Sequence, residues 1–78
     1  MNLCLAKKLI EATEGEPAGL LKVHGREAAR EVQEMVAAGL VNASGLDQVD
    51  PSEAVIIKIT NAGYKFARAL TDQSDFAI

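Results

Sequence analysis

The side chains that could carry out covalent chemistry are a single cysteine and a single histidine, Cys4 and His24. A nucleophilic thiol needs a nearby base and a third group that orients the base, and no other residue supplies that group in a recognisable context. A zinc site needs about four closely placed ligands, and the glycines do not form a phosphate-binding loop. We therefore expect neither an enzyme nor a metal or cofactor site, and we expect Cys4 to be a buried or half-buried apolar residue.

A second group of side chains is suited to contacting nucleic acid. Arg26, Arg30 and Gln33 would share one strip of a helix, and Lys22 and His24 come shortly before that helix. Arginine and glutamine carry donors that match purine edges, and the cations could also contact phosphates. These residues form the candidate nucleic-acid-binding site, with double-stranded DNA as the expected ligand.

Acidic residues close to that strip favour a different interpretation. The same helix carries a neighbouring acidic strip of Glu27, Glu31 and Glu34, which we expect to be solvent-exposed. The loop that follows adds Asp47, Asp50 and Glu53, and the net charge of −3 disfavours sequence-independent attraction to phosphates. In this alternative the arginines and glutamates form ordinary intrahelical pairs, each contributing about 0.2–0.5 kcal/mol.

Three helices are predicted from apolar residues that recur at helical spacing. The first spans Leu3 to Thr13 and ends near Pro17, the second spans 25–39 with a stop at Gly39, and the third is capped by Thr60 or Asn61. Their expected apolar faces are, in order, Leu5, Ala6, Leu9, Ile10 and Ala12; Ala28, Ala29, Val32, Met35 and Val36; and Ala62, Gly63, Phe66, Ala67 and Leu70.

The remaining segments predict a short antiparallel hairpin. "LVNAS" (40–44) and "VIIKIT" (55–60) have the composition of strands, and Val55, Ile57 and Ile59 are expected to share the face opposite Ile56 and Lys58. The segment between them, "GLDQVDPSE", contains the turn-forming residues of a connection. We predict a short helix or a turn for Pro17 to Gly25, and a loosely held tail at about 72–78.

The order of these elements resembles a winged helix-turn-helix domain. "AGLV" at 38–41 is similar to the junction where a recognition helix enters the first wing strand, and "ITNAGYKFARAL" resembles the second wing strand running into a closing helix. More narrowly, "KKLIEATEGEP", "VQEMVAAGLVNA" and the Thr60, Gly63 and Phe66 spacing resemble a family of short bacterial and phage proteins known only as a domain of unknown function.

This resemblance implies a small α+β, winged-helix-like domain over 1–78, with three helices, a possible short one, and a two-stranded antiparallel hairpin. The second helix would then enter the major groove with Arg26, Arg30 and Gln33. The expected function is that of a regulatory DNA-binding protein. The alternative is a protein-interaction or homodimerisation module on the same scaffold, using apolar residues that a small core does not absorb: Leu46, Val49, Ile56, Phe76 and Ile78.

Composition sets the remaining expectations. At 78 residues the chain forms one small core, so a second copy could usefully cover leftover apolar surface. A single cysteine permits no internal disulfide, and the sequence opens without a signal-peptide pattern. We accordingly expect a cytoplasmic protein without membrane or small-molecule partners, and a homodimer is consistent with its size.

Overall fold

The computed structural model describes residues 2–46 and 51–76, with side chains described as far as Leu70. In this part of the chain the elements are α1 (Leu3–Gly15), β1 (Leu21–His24), α2 (Arg26–Ala37), β2 (Val41–Ser44), β3 (Glu53–Ile59) and α3 (Asn61–Phe76). The expected α+β class and the antiparallel β2–β3 hairpin are confirmed. The sheet is larger than predicted, because β1 joins it in the order β1-β3-β2, antiparallel to β3.

The additional strand, β1, lies in the segment that was predicted as a short helix or a turn. Only the first part of that segment forms a turn, in which the Gly19 N–H donates to the Glu16 carbonyl at 3.0 Å. The prediction is wrong for Leu21–His24, which pairs with Glu53–Ile56. Four residues are too few to display a two-residue alternation clearly, and pairing with β3 supplies the hydrogen bonds that make the segment a strand.

The core lies between the inner face of the sheet, α1 and α2. Its largest fully buried side chains are Ile10, Val32, Met35, Val41 and Ile56. Four residues that were predicted to be buried or to lie on an apolar helix face are exposed: Cys4, Ala12, Val36 and Ala62. Cys4 lies in the first turn of α1, outside the stripe formed by Ala6, Ile10 and Thr13 that meets the core.

The buried face of α2 is rotated relative to the predicted one. It comprises Ala29, Glu31, Val32 and Met35, so the prediction that Glu31 belongs to an exposed acidic strip is also wrong. With about 100° between successive residues, Glu31 and Val36 lie at opposite edges of this helix face. A small rotation of the helix therefore buries Glu31 and exposes Val36. The direction of that rotation depends on where α1 and the sheet contact α2.

Hydrogen bonds from Thr60 connect the β3–α3 junction to the α2–β2 junction. Gly39 ends α2 with a φ of 78°, as predicted, and the chain continues into β2. The Thr60 hydroxyl lies 2.6 Å from the Gly39 carbonyl oxygen and 2.9 Å from that of Leu40. The Thr60 hydroxyl oxygen, Oγ1, also accepts the Gly63 N–H at 3.1 Å, which confirms Thr60 as the N-cap of α3.

A β-bulge changes which isoleucines face the core. Asn42 pairs with Lys58 and Ala43 pairs with Ile56, so Ile57 is an extra residue on β3. Ile56 is fully buried and Ile57 is 47% exposed. The prediction that Ile57 would lie on the opposite face from Ile56, with Ile59 beside it, is therefore wrong in part, because both Ile56 and Ile59 are buried.

Two predicted features extend outside the described residues. Asp47 and Asp50 of the hairpin connection lie there, so the charge of that loop is not described. The predicted tail at about 72–78 overlaps the end of α3, which runs to Phe76. Because the side chains beyond Leu70 are not described, how firmly this segment is held stays a prediction.

Candidate nucleic-acid interface

The predicted site residues lie on β1 and α2. Lys22 and His24 are both exposed and lie on the same side of β1, since the residue between them, Val23, is buried. Arg26 and Arg30 are exposed on the first two turns of α2. The strand and the helix are separated only by Gly25, whose φ of 100° is strained for residues with a side chain.

An open cleft brings part of this set together. It lies between the N-terminal half of α1 and the β1–α2 junction, and its cationic lining comes from Lys8, His24 and Arg26. Lys8 was not among the predicted site residues. Its position in the sequence gives no signal for this role, because only the packing of α1 places it beside the start of α2.

The other predicted residues do not line this cleft. Lys22 lies farther back on β1, opposite Val55 of the central strand. Arg30 and Gln33 follow Arg26 at positions i+4 and i+7 of α2, so they continue the same side of the helix away from the cleft. Gln33 is only half-exposed.

Acidic groups also lie at this surface. Glu27 lines the cleft, and Glu53 Oε1 lies 3.6 Å from His24 Nδ1 across the β1–β3 pair. The side chains of His24 and Glu53 are 70% and 74% exposed, so this contact is weak even when the imidazole is protonated.

The burial of Glu31 changes the charge that α2 presents to solvent. Its Oε2 accepts the Asn2 backbone N–H at 3.1 Å, and only 5% of the residue is exposed. Its Oε1 has no hydrogen-bond partner among the described residues. The exposed charges of α2 are then two cations, Arg26 and Arg30, and two anions, Glu27 and Glu34, so the exposed side of the helix is neutral instead of negative.

The cleft also contains the two residues considered for covalent chemistry. Cys4 and His24 both line it, although they come from different elements. The imidazole Nδ1 is directed towards Glu53. Within the described residues, no group of three or more His, Cys, Asp or Glu side chains is placed to hold a metal ion. The expectation of a non-enzymatic protein without a cofactor stays a prediction.

The apolar residues that were expected to remain outside the core differ in how far the structure buries them. Ile56 is fully buried, which corrects that expectation, and Leu46 packs half-buried against the core. Val49 and Ile78 lie outside the described residues, and the side chain of Phe76 is not described. The large hydrophobic residues that the described structure leaves exposed are Leu3, Leu20, Val36, Ile57 and Tyr64.

None of the helices in the described ranges is both long enough and apolar enough to cross a bilayer. Comparisons of the chain with protein-family models, with curated proteins and with solved structures found no match. The resemblances noted in the sequence therefore stay predictions, and any function has to be argued from the geometry itself.

Proposed function

We propose that this chain is a winged-helix-like, non-enzymatic protein that binds double-stranded DNA in a regulatory role, with α2 as the recognition helix. The observation that carries the proposal is the placement of Lys8, His24 and Arg26 from three elements around one open cleft. Arg30 extends the cationic side along α2. A duplex lying against α2 would bring phosphates to the cleft and base edges to the exposed side of the helix.

The topology supports this assignment at the level of fold. A helix leads directly into an antiparallel hairpin, and the strand before that helix pairs with the second hairpin strand, giving the order β1-β3-β2. This arrangement resembles a winged helix in which β1 and its turn connect α1 to α2. The argument from fold is an analogy, since one fold can serve many functions.

The burial of Glu31 removes one objection to the proposal. With three exposed glutamates, α2 would repel phosphates more strongly than its two arginines attract them. With Glu31 buried, the exposed charge is balanced, and the arrangement of the arginines decides the local field. We expect modest affinity with a steep dependence on salt, because phosphate contacts would supply most of the binding energy.

The test is a fluorescence anisotropy titration of labelled random-sequence duplex DNA with the full chain. Four lysine and arginine groups are available, Lys8, Lys22, Arg26 and Arg30, so log K should fall with log salt with a slope of about −3 to −4. Arg30→Glu should weaken binding about tenfold or more, because it replaces an attraction to phosphate by a repulsion.

The matched control is Lys65→Glu, which makes the same change of charge on α3, at an exposed position outside the cleft. It should change the affinity by no more than about twofold. Circular dichroism checks that both variants are folded. The proposal fails if the folded wild-type chain does not bind DNA at low salt, or if Lys65→Glu weakens binding as much as Arg30→Glu.

The alternative function is a protein-interaction module that does not bind DNA. The observation in its favour is the exposure of large apolar residues, with Ile57 and Tyr64 each close to half exposed. Failure to bind DNA together with self-association would support this alternative.

A further inference from the structure

Tyr64 stands between two adjoining grooves on the side of the molecule formed by α1, β3 and α3. The first groove is lined by residues that include Glu14, Ile57 and Lys58, and the second by Glu11, Glu14, Ala67 and Arg68. We refer to Tyr64 and these lining residues as the Tyr64 surface. Ile57 is 47% exposed and Tyr64 is 49% exposed, so the first groove has two large, half-exposed apolar side chains in its lining.

The exposure of Ile57 results from the β-bulge. The extra residue on β3 keeps Ile56 and Ile59 buried and leaves Ile57 outside the core. Nothing in the described fold covers Ile57 further. Removing the exposed part of this side chain from water is favourable, so a partner that covered the surface would gain hydrophobic energy.

The charges around the Tyr64 surface indicate which partner would fit. One edge is acidic, with Glu11 and Glu14 on α1, and the other is basic, with Lys58 on β3 and Arg68 on α3. Two acids and two bases make the surface neutral, although the chain as a whole carries −3. Because these charges cancel, a polyanion such as DNA or an anionic membrane would gain no net attraction from this surface.

We infer that the Tyr64 surface is a two-fold homodimer interface. A two-fold axis brings the same patch of each copy together, so a patch with one acidic and one basic edge is complementary to itself. With the axis near Tyr64, Glu14 of each copy faces Arg68 of the other, and the two tyrosine rings and two Ile57 side chains meet at the centre. The interface uses Glu11 and Glu14 of α1 with β3 and α3, whereas the proposed DNA contacts use Lys8 of α1 with β1 and α2, so the two proposals share no residue.

Sedimentation equilibrium of the full chain over about 1 µM to 1 mM tests the dimer directly. Tyr64→Asp should weaken dimerisation about tenfold or more, because it buries an unpaired charge at the centre of the interface. Tyr64 is the only tyrosine and the chain has no tryptophan. Quenching of tyrosine fluorescence by acrylamide should therefore decrease as protein concentration rises, since dimerisation shields this one ring.

A charge exchange tests the symmetry of the interface. Glu14→Lys and Arg68→Glu should each weaken the homodimer about tenfold, because each places like charges opposite one another twice. An equimolar mixture of the two variants should associate about as well as the wild type, since both cross-pairs then have opposite signs. Glu16→Lys and Lys65→Glu are the matched controls. They make the same charge changes at exposed positions that do not line either groove, and they should leave dimerisation within about twofold of wild type.

The inference is overturned if the wild-type chain remains monomeric up to about 1 mM. It is also overturned if the mixture of folded Glu14→Lys and Arg68→Glu chains associates no better than either variant alone, or if Tyr64→Asp leaves the dimer intact. Circular dichroism establishes that every variant is folded, so a loss of association cannot be attributed to unfolding.

Discussion

At the scale of single residues, the clearest structural requirement is at Gly63. It lies on the inner side of the first turn of α3, where an added Cβ would overlap the Leu40 carbonyl oxygen and come within 2.8 Å of the Ile59 side chain. The Leu40 carbonyl cannot easily move away, because it also accepts hydrogen bonds from the Thr60 backbone and hydroxyl. The prediction that Gly63 faces inward and allows close packing is confirmed.

We expect Gly63→Ala to lower the free energy of unfolding by about 1–3 kcal/mol, because the new methyl group has to displace backbone. Urea denaturation followed by circular dichroism measures this change. Gly15→Ala is the matched control, since that glycine ends a helix in open space without a positive φ. It should stabilise the protein by about 0.4–1 kcal/mol. A stabilising Gly63→Ala would contradict the described packing of α3 against the hairpin.

The burial of Glu31 could not be predicted from its residue type or from its neighbours in the sequence. A glutamate that directly follows an arginine in an amphipathic helix is normally assigned to solvent, since carboxylates are rarely fully buried. In the fold it lies beside the N-terminal end of α1, where the Asn2 N–H donates a hydrogen bond to its Oε2. Nothing in the local sequence signals this contact, because Asn2 and Glu31 meet only through the packing of α1 on α2.

At the scale of elements, β3 is the strand for which the sequence predicted the wrong residues on each face. The sequence "VIIKI" contains apolar residues at successive positions, so alternation alone cannot decide which ones face inward. The bulge opposite Asn42 and Ala43 decides it by adding one residue to β3. Ile56 and Ile59 are three positions apart and would lie on opposite faces of a regular strand. The bulge places both of them in the core.

Alanine substitutions at the two adjacent isoleucines test this register. Ile56→Ala should lower the free energy of unfolding by about 2–5 kcal/mol, because it creates a cavity in the core. Ile57→Ala should change it by less than about 1 kcal/mol, since the side chain is nearly half exposed. Denaturation at low protein concentration separates this effect from any effect on self-association. Equal losses at the two positions would contradict the bulge.

At the scale of the whole molecule, β3 is the central strand and connects the parts of the fold. It pairs with β1 on one side and β2 on the other, and its inner face contributes Ala54, Ile56 and Ile59 to the core. The proposed DNA contacts lie on α2, on β1 and at Lys8 of α1, and the proposed dimer surface uses Glu11 and Glu14 of α1 with β3 and α3. A dimer built through the Tyr64 surface would leave the α2 surfaces of both copies available.

The central position of β3 predicts its hydrogen-exchange behaviour. Its amides should be among the slowest to exchange, because strands on both sides hold them and only opening of the core releases them. The turn at 16–19 should exchange faster by more than about a hundredfold, since its side chains are exposed. Hydrogen exchange followed by NMR measures both regions in one experiment. Rapid exchange throughout β3 would contradict the sheet order β1-β3-β2.

The sequence alone determined the features that depend on neighbouring residues. Apolar spacing identified the three helices, Gly39 the end of α2, Thr60 the cap of α3, and turn-forming residues the hairpin, because hydrogen bonds and steric limits within a few residues govern each of these. The tertiary structure decided the features that depend on distant segments. Pairing with β3 made Leu21–His24 a strand, the bulge chose between Ile56 and Ile57, and the packing of α1 buried Glu31 and brought Lys8 to the cleft. Each of these results from contacts between residues far apart in the chain, which local patterns do not encode.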